Sequence, residues 1–562
     1  DDEITNTSDE NTGWKRRSFN QSFSIVVEDT PNAELSKLTS KDEKGKEIDE
    51  FAKIQWKITP IKNKRRTIEI FLMNDRRPTL EEEYTHDDEC IFQPLLRLTG
   101  ENGKNIFLAI EDSEDKLFES SDMEGKKYEL LFSNKKYFAN GHNCSVKWSE
   151  EIVSNCVKYV ETTLLPKYIV ESISPRQIKN DSLKLRILKD VENFSEYKKL
   201  LEPIKKGYKE WLKEKKNQQS SIPDKFIKSD VVQAHLENCD TAIDRIDAGI
   251  KKIAEDNSDA GEAFRFANKV MYNQMRHSSW AKTNQKNGGK IPTGEGPISG
   301  YEPEWYVFQL AFILLNIESI VNPESNYRKT VDLLWFPTGG GKTEAYLGII
   351  AFNIALRRLR ETGVNRYGTA VIMRYTYRLL TLQQFQRAAA LMCACEYERQ
   401  VNTKKWGNEP FTVGLFVGMN TTPNDLATAE KNLTDYQLSG VKPAEGNPVQ
   451  ITSCPWCGTN IGPKEYPLIP KKAGSKTYWH VPDLPLRMKI RCKNSKCFFG
   501  NKDKKDSYLP VVFIDEDICS TLPTLVIGTV DKFARLAWQS YYCSIFGKVN
   551  QHCDQHGFGA ST

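Results

Sequence analysis

The run Trp335-Phe336-Pro337-Thr338-Gly339-Gly340-Gly341-Lys342-Thr343-Glu344 gathers the residue types that hold a polyphosphate. Consecutive glycines let the backbone curl until several N–H groups face one anion. A helix starting directly after them adds the positive end of its dipole. In that arrangement the Lys342 ammonium neutralises the β- and γ-phosphates, and the Thr343 hydroxyl holds Mg²⁺. The flanks agree. Residues 331–336 read as an apolar strand, and the residues after Thr343 read as a helix with Leu347, Ile350, Ile354 and Leu356 repeating at helical spacing. The pattern predicts binding of ATP or GTP, with Thr338, Gly339, Gly340, Gly341, Lys342, Thr343 and Glu344 as the contact set. The general form of such a loop has a glycine five places before its last one, and Phe336 stands there instead.

A second chemistry lies further along. Cys454-Pro455-Trp456-Cys457-Gly458 and Cys492-Lys493-Asn494-Ser495-Lys496-Cys497 form a CxxC pair, 34 intervening residues, and a CxxxxC pair. Zinc takes four tetrahedral ligands, and a CxxC turn closed by glycine presents two thiolates on one knuckle. Cys454, Cys457, Cys492 and Cys497 are therefore the expected Zn²⁺ ligands. With no coordination position left for a reactant, the metal's role is to fold a segment too poor in apolar residues to fold alone.

These residues need elements to position them. The chain of 562 residues is 39% hydrophobic and 27% charged, a soluble globular composition, and its net charge is +4. That balance excludes a basic field over the whole chain, so any nucleic-acid surface must be local. No apolar run reaches the roughly 18 residues of a bilayer span, and no signal segment opens the chain. Together with 13 cysteines, this points to reduced thiols, metal binding and the cytoplasm. The chain opens on Asp1 and closes on Thr562 without a finishing element, which suggests a piece of a longer protein.

Four regions follow from patterning. Residues 1–18 read as a disordered tail, and residues 19–165 as a β-rich domain, a small barrel or sandwich, from alternating runs near residues 22–27, 54–58 and 67–72. Residues 166–300 read as a lysine-rich helical domain ending in a Gly/Asn/Pro linker from about residue 284. Residues 301–562 read as an α/β lobe with a parallel sheet. Its expected strands are 331–336, 369–373, 412–417 and 524–527, with the zinc insert at about 438–514. Two strand-to-helix junctions in this lobe, around Thr376, Arg378 and Gln383 and around Gly528-Thr529, resemble the elements with which superfamily 2 motors hold a sugar-phosphate backbone without reading bases. An amphipathic helix with polar caps looks similar. Gln309, 33 residues before Lys342, reads either as an adenine-recognising glutamine beside Trp305 and Tyr306 or as an ordinary helix residue. The apolar run ending in Asp515-Glu516-Asp517 mimics a Mg²⁺-binding strand, but it precedes Gly528-Thr529, the reverse of the order in ATP-driven motors.

Together, the segment from Trp335 to Gly348, the Arg374-to-Gln383 junction, the CPWCG knuckle, Gly528-Thr529-Val530-Asp531-Lys532-Phe533, Ala263-Phe264-Arg265-Phe266-Ala267-Asn268 and the helix around Gln309 resemble DISARM-type anti-phage defence helicases, the DrmA-like branch of superfamily 2. The TGGGKT version of the loop suits that superfamily. The resemblance implies a RecA-like P-loop motor lobe and an ATP-dependent DNA helicase or translocase acting on phage DNA. Thr376, Arg378, Gln383 and Thr529 would grip DNA, and ATP, Mg²⁺ and structural Zn²⁺ would be the cofactors. It further implies a zinc-ribbon-like helicase-associated partner and a DNA methyltransferase in the same system. An Asp-Glu box after Thr529 and a second lobe with its arginine finger are not identifiable, so hydrolysis by this chain alone does not follow. A non-catalytic ATP-gated DNA-loading or partner-binding module, or an RNA-directed motor, are the alternative readings.

Overall fold

The computed structural model describes residues 20–25, 33–41, 47–59, 65–75, 90–110, 123–132, 135–166, 173–175, 180–222, 230–294, 296–297, 300–336, 339–466, 468–469, 487–503, 507–553 and 557–559. Pro337 and Thr338 of the glycine-rich run lie outside that set. Two compact units result, residues 1–171 and 172–562.

In the first unit, Ala33–Lys41, Glu47–Ile58 and Ile68–Asn74 form an antiparallel sheet with the longest strand in the middle. Ala52, Ile54, Trp56 and Ile58 alternate onto one buried face, as the period of a strand requires. A second antiparallel sheet joins Arg97–Thr99, Tyr159–Thr163 and Ser145–Trp148 around Val160, Val157 and Phe138. The barrel or sandwich expected from the sequence is thus replaced, among the described residues, by small sheets with separate apolar clusters. Strands of two to five residues in the second group bury too little face to close around one core.

The second unit is mixed α/β, built on a four-stranded parallel sheet in the order Val511–Val512, Val413–Phe416, Leu525–Thr529, Val371–Tyr375. Both faces are covered, which explains the continuous apolar runs. Leu415 and Ile527 point into the main core, while Phe416 and Val526 point into a cluster with Ile518, Phe533 and Tyr542. Three of the four expected strands are present with slightly shifted ends. The fourth is not. Residues 331–336 belong to none of the described sheets. Their side chains alternate: Val331, Leu333 and Trp335 are 94%, 85% and 72% exposed, while Asp332 forms a bidentate pair with buried Arg245 at 2.6 and 2.7 Å. A strand needs a neighbour for its N–H and C=O groups, and no described strand runs alongside this one.

The helices predicted ahead of the linker lie in this same unit. Asp259–Lys286 is the longest, capped by Ser258, whose hydroxyl accepts from the Gly261 amide at 2.9 Å. Ala263, Phe264, Ala267, Val270 and Met271 bury its inner face. It packs along Lys342–Arg360, the helix that follows the glycines, and along Arg378–Val401. Among the described residues no helix is long and apolar enough to cross a membrane.

Candidate functional site

The glycine-rich turn ends where Lys342–Arg360 begins. Gly341 is the residue before the helix, with φ +90°, and Gly339 has φ +85°. At Gly341 a side chain is excluded twice, by that backbone and by the Gln309 Nε2 that would lie 2.7 Å from a Cβ. Gln309 is 2% exposed; its Nε2 donates to the Gly341 carbonyl at 2.7 Å, and its Oε1 accepts from the Tyr306 amide at 2.8 Å. It therefore buttresses the loop itself, a role its sequence position did not disclose. Lys342 Nζ donates to the Phe336 carbonyl, tying the two ends of the turn. Phe336 stacks on Phe308 with ring centroids 4.3 Å apart. Thr343 is half-buried in the first helical turn, and Glu344 beside it pairs with Arg387. Gly340 completes the turn as a bend.

The carboxyl edge of the sheet collects the second set. Thr529 ends its strand opposite Tyr375 of the neighbouring strand, so Thr376 emerges at the same edge. Thr376 is exposed, while Thr529 is 6% exposed and precedes the short helix Val530–Ala534. Arg378 opens the helix Arg378–Val401, and Gln383 is exposed one turn and a half along it.

Close to this edge is a network the sequence did not signal. Asp515, fully buried, pairs with Lys532 and accepts from the Tyr542 hydroxyl at 2.8 Å, while Lys532 also donates to Asn424 Oδ1 at 3.0 Å. Burial pushes the Asp515 carboxyl up from its usual range against the pull of the Lys532 charge. Glu516 accepts from the Leu426 amide at 3.0 Å, at the start of the helix Leu426–Ser439. These two carboxylates thus serve internal contacts.

The four cysteines converge. Cys454, Cys457, Cys492 and Cys497 are all buried, with every Sγ within 4.8 Å of the others. The Cys457–Cys492 and Cys454–Cys497 separations are 3.5 and 4.0 Å. Thiolates about 2.3 Å from a tetrahedral zinc would lie roughly 3.8 Å apart, so the donor set can hold such a metal. Hydrogen bonds from the neighbouring thiols pull the Cys457 thiol well down, whereas burial pushes Cys454 up.

What positions the knuckle is the end of the long helix. Asn284 Nδ2 donates to the Cys457 carbonyl at 3.0 Å, Gln285 Nε2 to that of Gly458, and the Asn460 amide to the Gly289 carbonyl at 2.8 Å. Gly458, with φ +73°, sits so close that a Cβ would meet the Ala281 carbonyl at 2.4 Å. His277 stacks on Trp456 at 3.4 Å. Part of the composition that reads as linker is therefore a clamp. Paired side-chain amides before two glycines were the available signal.

Fold and site together define a mixed α/β protein with a glycine-bent helix start and a buried four-cysteine centre. No family model matches the chain. Over 508 residues it is 35% identical to the DISARM protein DrmA of Bacillus paralicheniformis, a match covering 87% of this chain and 42% of that protein. The chain belongs with the DrmA-like DISARM defence proteins. It spans about 42% of the length of the curated relative it matches.

Proposed function

We propose that this chain provides the nucleotide-binding lobe, with accessory elements, of an ATP-dependent DNA helicase or translocase of superfamily 2 acting against phage DNA. The observation that carries the reading is the turn of Gly339–Gly341, bent through positive φ at two positions and delivered to the first turn of a helix bearing Lys342 and Thr343. Thr338 and the loop amides would bind the phosphates of ATP, Lys342 would neutralise their charge, and Thr343 would face Mg²⁺. Glu344 and Gln309 support the loop from either side. Bound ATP supplies the energy of phosphoryl transfer; the chain's own residues bind and orient it. Thr376, Arg378, Gln383 and Thr529 would lie along the strand, holding phosphates without reading sequence. The four cysteines would hold a structural Zn²⁺. The work is expected in the cytoplasm, with a zinc-ribbon-like helicase-associated protein and a DNA methyltransferase as partners.

The test is direct. Lys342→Ala should weaken Mg·ATP binding about 100-fold, equal to about 2.8 kcal/mol, with the melting temperature unchanged. Equal ATP affinity in the two proteins by titration calorimetry sinks the reading.

One observation favours a second reading, in which ATP only gates a DNA-loading or partner-binding module. The Asp515 carboxylate, in the element that mimics an Mg²⁺-binding strand, is committed to Lys532 and Tyr542. ATP binding without DNA-stimulated hydrolysis would select it. Competition between DNA and RNA oligonucleotides would separate a DNA-directed from an RNA-directed protein.

A further inference from the structure

Beside the cysteine centre a cavity of about 340 Å³ opens between the end of the helix Asp259–Lys286 and the two knuckles. Five rings line it, His277, Trp280, Tyr397, Trp456 and Phe498, set among the polar Asn273, Asn494, Lys496 and Asn501. The rings hold one another in place. Trp456 carries His277 on its face at 3.4 Å and lies 5.7 Å from Tyr397, which meets Phe498 edge-to-face at 5.0 Å. Trp280 is half-buried and meets His277 at an interplanar angle of 69°, so these two rings do not stack.

Polar groups sit at set places around these rings. Lys496, exposed on the second knuckle, also lines the cavity. Asn494, 3% exposed, also lines the cavity and accepts from the Lys496 amide with its Oδ1 at 3.0 Å. Glu398 next to Tyr397 is neutralised by Lys269 at 2.6 Å and accepts from Asn273. A cationic guest would meet the Lys496 charge at this rim, with the neighbouring Glu398 already paired to Lys269.

We propose that this pocket takes one unstacked base of a single-stranded nucleic acid, its ring against Trp280 and its neighbouring phosphate at Lys496. Every base has a π-face, so stacking on aromatic side chains binds strands without sequence preference, and a basic rim tracks the backbone. The metal-capable knuckles stiffen the pocket, because the two segments that carry the cysteines supply Trp456 and Cys457 on one side and Asn494, Lys496 and Phe498 on the other. The inference rests on the nucleic-acid reading above but not on the glycine loop.

The experiment uses the full, zinc-loaded chain without nucleotide and a 12-residue oligo-dT strand containing one 2-aminopurine. Stacking should quench the 2-aminopurine. Trp280→Ala should weaken binding about tenfold and abolish the quench, and Lys496→Ala, at an exposed side chain, should weaken binding several-fold and reduce its salt dependence by about one ion. Equal affinity and quench in wild type, Trp280→Ala and Lys496→Ala would overturn the pocket while leaving nucleic-acid binding intact. Failure of the wild type to bind any strand would overturn both readings. Binding of an aromatic peptide that the strand cannot displace would assign the pocket to a protein partner and overturn the inference as well.

Discussion

The cysteine knuckles and the glycine turn lie in the same unit and lean on the same long helix, yet they are held in opposite ways. The cysteine centre is enclosed: all four ligands are buried, and in the first knuckle the Cys457 and Gly458 carbonyls are taken by Asn284 and Gln285 and Trp456 is stacked. The glycine turn is open on its approach side. Residues 331–336 reach it outside the described sheets, fixed by the Asp332–Arg245 pair and by Phe336 on Phe308. Few buried contacts mean low local stability, the property of sites that rearrange around a ligand. Rigidity has been concentrated where a metal belongs, and freedom left where a triphosphate would arrive.

Breaking the enclosed side should have the largest effect. Cys457→Ser should cost on the order of 5 kcal/mol of stability for the second unit and eliminate stoichiometric zinc; denaturant melts with elemental analysis measure both. Retention of one zinc per chain would contradict the four-thiol centre. Next comes the anchor of the open side. Asp332→Ala leaves the Arg245 guanidinium buried without its carboxylate, at a cost of about 3 kcal/mol, and should speed proteolytic cleavage near residues 331–336 while zinc content stays constant. Gln309→Ala removes one of the two donors to the Gly341 carbonyl, leaving the Glu344 amide, and takes the side-chain acceptor from the Tyr306 amide, a loss of about 1–2 kcal/mol, and should appear as about tenfold weaker Mg·ATP binding. The smallest effect sharpens what the two sides share. Ser258→Ala removes the cap of the long helix for about 1 kcal/mol, lowering the melting temperature by a few degrees without altering metal or nucleotide binding.

Much of this architecture was legible in the residues. Apolar spacing marked the helix after Lys342, and β-branched runs marked three of the four sheet strands, because those segments find their partners within the described chain. Cysteine spacing named the four thiols that converge. Residues 331–336 carry an equally good strand pattern, but pattern specifies only a face, and pairing also needs a neighbour. The Asp515–Lys532–Tyr542 network joins residues 17 and 27 positions apart and leaves no periodic trace. The clamp on the knuckle hid behind loop-like composition, since Asn, Gln and Gly end a helix and grip a turn with the same side chains.

A helix of 28 residues measures about 42 Å and turns about 100° per residue. One end of Asp259–Lys286 lies under Phe194 and Leu188, and the other points Asn284 and Gln285 at the knuckle. Angular phase along this rod is therefore an inherited constraint. A single-residue deletion near Met275 would swing the terminal amides a quarter-turn off target, whereas a seven-residue insertion would nearly restore their heading but overshoot by about 10 Å. Sequence length in this rod should be far less variable than sequence identity.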